Sequence, residues 1–362
     1  MTVLPTPTAP LGVYVHIPFC SSRCDYCAFA TWTDRGHLVT DYLDAVRDDI
    51  VATFARETRR VETVFVGGGT PSLVPPELLA AALAEIPVVD GAEVTVECNP
   101  DDVDVELLTV LRKGGVNRIS LGVQSMVPRI LALLGRHHDP GNVVSAVDAI
   151  SEVGFQSFNL DLIYGAASET VEEWAATLDA ALALSPPHVS AYGLTVEAGT
   201  PLAADPARYP DDDVQADEYE LADDRLTAAG LANYEVSNWA RPGHECRHNR
   251  LYWDQHDYLG FGCAAHSHVA GRRWWNLRTP ERYLAAVRAG DSTEAAGETL
   301  DAETRRLEGL QLSLRTTDGV PADALAADDL ELLDGLVERQ GQRVVLTRRG
   351  RLMANEVSIR LR

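Results

Sequence analysis

Cys20, Cys24 and Cys27 crowd into eight positions as Cys-x3-Cys-x2-Cys, while Cys98, Cys246 and Cys263 lie far apart. Six cysteines in 362 residues do not make a disulfide scaffold, and such clustering reads as metal binding. Three thiolates suit a [4Fe-4S] cluster in which one iron stays open. That iron can take a small bidentate ligand, by the logic that leaves an open position on a catalytic zinc. A structural zinc with a fourth ligand such as His16 is the alternative use of the same thiolates. Cys98, Cys246 and Cys263 read as small buried apolar residues. Lys113, the only lysine, precedes Gly114-Gly115 as a helix-end cation, so Schiff-base chemistry is not expected.

Other residues fall where a ligand could be held. Gly67-Gly68-Gly69-Thr70-Pro71 follows a β-rich run. Glycines there let backbone approach a ligand closely, and a tight βα turn is the plainer use of the same residues. Glu97 ends the next run, Gln124 the one after, Arg136 follows twelve residues later, and Asp161 lies in Asn159-Leu-Asp-Leu-Ile-Tyr-Gly165. Polar side chains at the carboxyl ends of parallel strands would share one pocket, where barrel active sites lie. Singly, each reads as a strand-end cap or ion pair.

The elements that must position these groups are legible as alternation. Strands are expected at 13–17, 63–67, 93–98, 118–123, 157–164 and 189–194, several nearly continuous in apolar residues, as strands covered on both faces are. A helix from Leu38 to about Arg56 carries Tyr42, Leu43, Val46, Ile50 and Phe54 on one face. Later helices begin near Pro75-Pro76, Asp104, Asp139-Pro140 and Ser168. Six strand–helix units predict an α/β fold, an incomplete (β/α)6 barrel, with a doubly wound sheet as the pattern's other solution. After about Pro201 the alternation fades into a helix over 214–229 and an aromatic-rich segment over 234–283. The tail reads as helices, then a hairpin of 336–338 against 344–346 turning at Gly341, then a helix. That order is winged-helix-like.

Tyr14-Val-His-Ile-Pro-Phe-Cys20 followed by Cys24-Asp-Tyr26-Cys27 resembles radical S-adenosylmethionine (SAM) proteins of the oxygen-independent coproporphyrinogen III oxidase type, over nearly the whole chain. The resemblance implies that the open iron chelates the amino and carboxylate groups of SAM, whose one-electron cleavage gives a 5′-deoxyadenosyl radical. It further implies that Gly68, Gly69 and Thr70 hold the methionine end of SAM, and that Glu97, Gln124, Arg136 and Asp161 contact SAM. Tyr14 belongs to the same motif, and Tyr26 packs on the cluster or the adenine, an ordinary packing role being the alternative.

Two departures indicate the branch. Active oxidases of this type carry a fourth cysteine two residues after the third, where this chain has Phe29. Phenylalanine neither ligates iron nor carries a proton. The chain is instead similar to the heme chaperone branch, HemW-like proteins, which shares His248-Asn249-Arg-Leu-Tyr252. Through that motif the resemblance implies heme binding by His248, Asn249 and Tyr252, with Trp239, Trp253, Tyr252 and Tyr258 offering flat surface to a porphyrin. The plainer reading of His248 is a hydrogen-bonded core histidine. His266 and His268, after the Gly260-Phe-Gly262 turn, could line the same cavity and have no assigned role.

A net charge of −23 argues against nucleic acid as a partner. Met1–Pro10 has no basic start or apolar run, and no run of about 18 apolar residues occurs, so neither a signal peptide nor a membrane span is expected. The expected protein is cytoplasmic, divided into a radical SAM core (1–240) and a C-terminal domain (241–362). It is expected to take up heme and deliver it to apo-hemoproteins such as respiratory enzymes, with a cluster, SAM and an electron donor; a homodimer stays open. The alternatives are oxidative decarboxylation of coproporphyrinogen III and a radical SAM reaction on intact heme. The radical SAM motif is that of enzymes, and Phe29 in place of the fourth cysteine argues against coproporphyrinogen oxidase activity.

Overall fold

Valine and isoleucine at alternate positions make the first strands, because β-branched side chains pack well on a pleated, half-buried surface. The computed structural model describes residues 10–361, so the expectation for the first ten residues lies, but for Pro10, outside them. Six parallel strands adjoin in chain order: β1 (Leu11–Ile17), β2 (Val61–Gly68), β3 (Val88–Cys98), β4 (Arg118–Gln124), β5 (Ser157–Tyr164) and β6 (His188–Gly193). The intervening helices are α1 (Val39–Phe54), α2 (Pro76–Leu83), α3 (Val105–Lys113), α4 (Pro128–Leu133), α5 (Pro140–Val153) and α6 (Val171–Ala183), with α7 (Asp212–Ala228) after β6. This is the α/β, incomplete (β/α)6 barrel that the alternation predicts.

Side-chain caps set the starts of α3, α5 and α6. Asp104 accepts from the Leu107 N–H at 2.8 Å and Asp139 from Gly141 at 2.7 Å. The cap of α6 is Thr170, in a capping box with Glu173, two residues beyond Ser168. Lys113 ends α3, where a cation is favoured.

Strand periodicity then sorts the residues. Leu11, Val13, Val15 and Ile17 are fully buried in one core with Leu43, Val46 and Ile50 of α1. The positions between them face inward, and strand register lines them up across the interior. Tyr14 pairs with Phe65, His16 with Gly67, Glu97 with Ser120, and Gly122 with Asp161. The polar residues of the motifs therefore converge although far apart in sequence.

The fading after Pro201 is where the structure departs from expectation. Six further strands extend the sheet: β7 (Ala232–Glu235), β8 (Asn238–Ala240), β9 (Asp257–Phe261), β10 (His266–Val269), β11 (Arg272–Asn276) and β12 (Glu294–Thr299). The order is β12-β11-β10-β9-β1-β2-β3-β4-β5-β6-β8-β7. β9 lies parallel to β1, and the other added strands pair antiparallel. Most have only three to five residues and no apolar run or clean alternation, so their strand character comes from pairing with neighbours. The sheet thus crosses position 240. Two helices belong to this part, α8 (Arg247–Trp253) and α9 (Pro280–Ala289).

The tail has its own core of Leu314, Val320, Leu325, Leu333, Leu336, Val344, Val357 and Leu361. It holds α10 (Ala302–Ser313), β13 (Val320–Pro321), α11 (Ala327–Leu332), β14 (Val337–Gln340), β15 (Arg343–Leu346), α12 (Arg348–Leu352) and α13 (Ala354–Arg360). The hairpin pairs Val337 with Leu346 and turns through Gly341 at φ +61°, a left-handed conformation that glycine adopts without strain. Among the described residues no helix is long and apolar enough to cross a membrane.

Candidate cofactor site

The cysteine loop leaves β1 and is tied down at both ends. The Gly69 N–H donates to Ile17 O at 2.7 Å and Thr70 N–H to Phe19 O at 2.8 Å. Trp32 N–H donates to Pro18 O and Cys20 N–H to Trp32 O, so the loop returns to its start. Phe19, 1% exposed, anchors it edge-on against Tyr42 at 5.3 Å. The glycines are needed for this approach: a Cβ on Gly69 would lie 2.6 Å from Phe19 O and 3.0 Å from Cys20 Sγ. Gly68 has φ +109°, and a Cβ there would meet the His16 ring at 2.3 Å. The Gly67–Pro71 turn is thus packed against the cysteine loop itself.

All three cysteines of the motif are half-buried. Thr70 Oγ1 donates to Cys20 Sγ and Arg136 Nη1 to Cys24 Sγ, both at 3.6 Å. Burial pushes the Cys20 and Cys27 thiols above their ordinary value, a preference that a bound metal reverses. Among the described residues no three His, Cys, Asp or Glu side chains gather closely enough to chelate one ion. Three thiolates that surround a cubane meet its separate irons and need no common point. Tyr26 packs beside Ile130, Leu134 and Leu202.

Behind the loop lies a polar floor. Glu97 accepts from the Gly68 N–H at 3.2 Å, and burial, then the charge of Asp161, pushes its carboxyl up to about 8. Asp161 accepts from Ser120 at 2.7 Å and from Asn159 at 2.8 Å. Gln124 has φ +63° at a register shift between β4 and β5, so a bulge turns the strand end toward the site. Arg136 donates to Gly122 O at 2.6 Å. Among the described residues its Nε and Asn99 Oδ1 are buried without a partner, and the buried ring nitrogens of His138 have no side-chain partner. Buried polar atoms are normally paired, and this set fits a polar ligand such as SAM beside the open iron. His138 and Asn99 were not among the residues singled out from sequence, and nothing in their spacing marks them.

The His248 motif lies elsewhere in the barrel. His248 is 1% exposed. Its Nδ1 is bonded to Thr63 Oγ1 at 2.9 Å and its Nε2 to the Tyr252 hydroxyl at 2.8 Å. The ring stacks on Phe65 at 5.5 Å, and burial lowers its pKa to about 3. The neutral ring is fully engaged, as the core-histidine reading requires. Asn249 is half-buried on the same helix. Glu93, 8% exposed, holds α8 by accepting from the backbone of Arg247 and His248, both at 3.1 Å. That role too has no sequence signal, because it spans 155 residues.

Tyr252 is the part of the motif that reaches a cavity of about 780 Å³. Its walls come from β1 (Tyr14, His16), the cysteine loop (Ala28–Ala30), the β9–β11 edge and α10. Burial lowers the pKa of His16, and its Nε2–H donates to Ala30 O at 2.9 Å, so Nδ1 accepts from Tyr14 at 3.0 Å. Phe29 lines this cavity and is 66% exposed. Tyr258 lines it too, edge-on to Tyr252 at 4.7 Å. Trp239 and Trp253 are not among its walls. Trp239 is fully buried and donates to Asp223 at 2.9 Å, and Trp253 packs under Arg315.

Residues 14–181 match the radical SAM superfamily. The heme chaperone HemW of Mycobacterium tuberculosis is 45% identical over 372 residues, 98% of this chain and 95% of that protein. The chain belongs to the HemW family. The heme chaperone HemW of Escherichia coli is 39% identical, covering 83% of each chain, and that of Bacillus subtilis 32% identical over 96% of this chain and 97% of its own. Among solved structures, the coproporphyrinogen III oxidase HemN of Escherichia coli, a radical SAM enzyme, superposes with a TM-score of 0.85. It is 26% identical and covers 98% of this chain and 90% of its own. HemW-family membership with a HemN-like fold is what the cysteine motif, the Phe29 departure and the His248 motif together imply.

Proposed function

We propose that the chain is a heme chaperone that keeps a SAM-binding [4Fe-4S] cluster, takes up heme, and delivers it to apo-hemoproteins such as respiratory enzymes. The observation that carries the reading is the cavity beside the cysteine loop, where Phe29 presents an exposed apolar face. Cys20, Cys24 and Cys27 would hold the cluster. Gly68, Gly69, Thr70, Glu97, Gln124, Arg136 and Asp161 would surround SAM, with Tyr14 and Tyr26 closing the sides. When bound, the cluster supplies one-electron chemistry to SAM and requires an electron donor.

The chain's own residues shape the site. Arg136 donates to Cys24 Sγ and so helps orient that sulfur toward the cluster. Glu97, largely protonated near neutral pH, can donate a hydrogen bond to a ligand without adding a second negative charge beside Asp161. Tyr252, Tyr258 and Phe29 offer aromatic surface to a porphyrin. In this reading residues 1–240 hold cluster and SAM, and residues 241–362 contribute most of the heme-facing wall. Of the His248 motif, Tyr252 touches the ligand, while His248 and Asn249 position it.

The test is an anaerobic heme titration of the cluster-loaded chain, followed by Soret absorbance. Saturable uptake near one heme per chain is expected. Absence of specific uptake, together with conversion of coproporphyrinogen III to protoporphyrinogen IX, would overturn the proposal in favour of an oxidase.

A further inference from the structure

The cavity beside the cysteine loop has four histidines in its walls besides the motif tyrosine: His16, His256, His266 and His268. A heme ligand needs an imidazole nitrogen with a free lone pair that iron can reach. His16 is excluded, because both its nitrogens are hydrogen-bonded. His248, outside the cavity walls, is excluded for the same reason. His268 is bonded through Nδ1 to His256 O at 3.1 Å, and its unpartnered Nε2 is shut off from the surface. His266 differs on each count. It is exposed, makes no side-chain hydrogen bond among the described residues, and its ring is held by stacking on Trp275 at 5.7 Å and 29°. Among the described residues His256 has no aromatic ring stacked on it to fix its orientation.

The rest of the cavity suits the other parts of a heme. At about 780 Å³ it lies within the roughly 300–1,000 Å³ usual for cofactor-sized ligands. Phe29, Tyr258 and Leu312 give apolar wall for the macrocycle. Two arginines face it. Arg273 is paired with Glu298 and Glu308. Arg278 is exposed and forms no ion pair among the described residues. On a chain of net charge −23, an unpaired guanidinium at a cavity wall is the natural partner for a propionate carboxylate.

We propose that heme seats in this cavity with its iron bound by His266 and a propionate paired with Arg278. The inference rests on the heme-chaperone reading above. The His266 ring is exposed, stacked on Trp275 and free of side-chain hydrogen bonds among the described residues, so a nitrogen lone pair can be turned toward the iron. Ligation forms one N–Fe bond and transfers neither proton nor electron. His248 supports the site from behind by holding the Tyr252 hydroxyl.

The experiment titrates full-length, cluster-loaded wild type, His266→Ala, His256→Ala and Arg278→Glu with heme under anaerobic conditions. Soret position and affinity are both read. His266→Ala is expected to lose the histidine-ligated Soret band, with affinity falling on the order of 10–100-fold. Added imidazole should restore the band, because the vacated site can admit it. Arg278→Glu should weaken binding several-fold without moving the band, and His256→Ala should behave as wild type. Both main substitutions are at exposed positions, and unchanged circular dichroism will verify folding. Wild-type uptake with an unaltered band in His266→Ala overturns the inference while sparing the chaperone reading. No uptake by wild type overturns the reading itself.

Discussion

Gly69 shows how a residue with no side chain governs a metal site. The strand end at Ile17 and the turn after β2 approach so closely that two backbone hydrogen bonds join them, and Cys20 Sγ lies against the same glycine. Gly69→Ala would force its Cβ into Phe19 O at 2.6 Å, a backbone atom with no freedom to move aside. The cysteine loop must shift, and cluster incorporation should fall sharply while the secondary structure persists. Iron and sulfide content with the broad visible absorption of the reconstituted protein checks this. Full loading would show that the loop tolerates the displacement. The glycine turn was read from sequence as a ligand-side feature, and the geometry adds its role in seating the cysteines.

At the scale of elements, α6 and α7 are held by a buried tryptophan, with two unusual carboxyls nearby, Glu218 on α7 and Glu169 just before the cap of α6. Trp174 of α6 donates to the backbone of Glu218 at 2.8 Å. The Glu218 side chain is fully buried, and among the described residues no side chain hydrogen-bonds either of its oxygens. Burial, then the charge of Glu169, pushes its pKa up to about 8, and burial raises Glu169 to about 7. The native state therefore binds protons that the unfolded chain releases above about pH 4.5. Stability contributed by these protonated carboxyls falls as pH rises from there through 8. Glu218→Gln removes one titrating group and should raise Tm at pH 8 by several degrees, with little change at pH 5. Thermal melts at the two values decide it, and an equal shift at both would mean the carboxyl is not protonated in the native state. No period or motif flags Glu218, because its burial depends on how α7 lies against α6.

The tail is joined to the barrel by polar links as well as by its own core. Asp223 on α7 accepts from Arg351 at 2.8 Å and from Trp239 at 2.9 Å. Backbone pairs also connect Val236 with Arg315 and Thr317 with Tyr234. Asp223→Ala removes the carboxylate partner of Arg351, which among the described residues keeps only its hydrogen bond to Asn233, and the acceptor of the buried Trp239 N–H. Breaking a largely buried pair costs about 3–5 kcal/mol. The docked tail should then open ahead of the barrel. Limited proteolysis is expected to cut near residues 300–320 in the variant and to spare the wild type. An unchanged digestion pattern would assign the docking to the backbone pairs and the remaining arginine links, such as Arg351 to Asn233 and Arg348 to Asp224. The cavity beside the cysteine loop is completed by Leu300, Glu308, Gln311 and Leu312 from this end of the chain, so a loosened tail should weaken heme uptake too.

What could be read without coordinates was local. The Cys20–Cys27 spacing, the glycine turn, and six strands with their helices depend on neighbours within a few dozen residues. The six found strands overlap the expected ones, because apolar runs and caps act over that range. The added strands over 232–299 were invisible because they are neither apolar runs nor clean alternations, and β9 joins the sheet only through backbone of β1 about 240 residues earlier. The same limit explains the histidines. His248 and His266 are one residue type in one aromatic segment, and nothing in the sequence separates a ring closed in by Thr63 and Tyr252 from one left open on a cavity. Hydrogen-bond partners 185 residues away and access to solvent decide that difference, and both are products of tertiary packing alone.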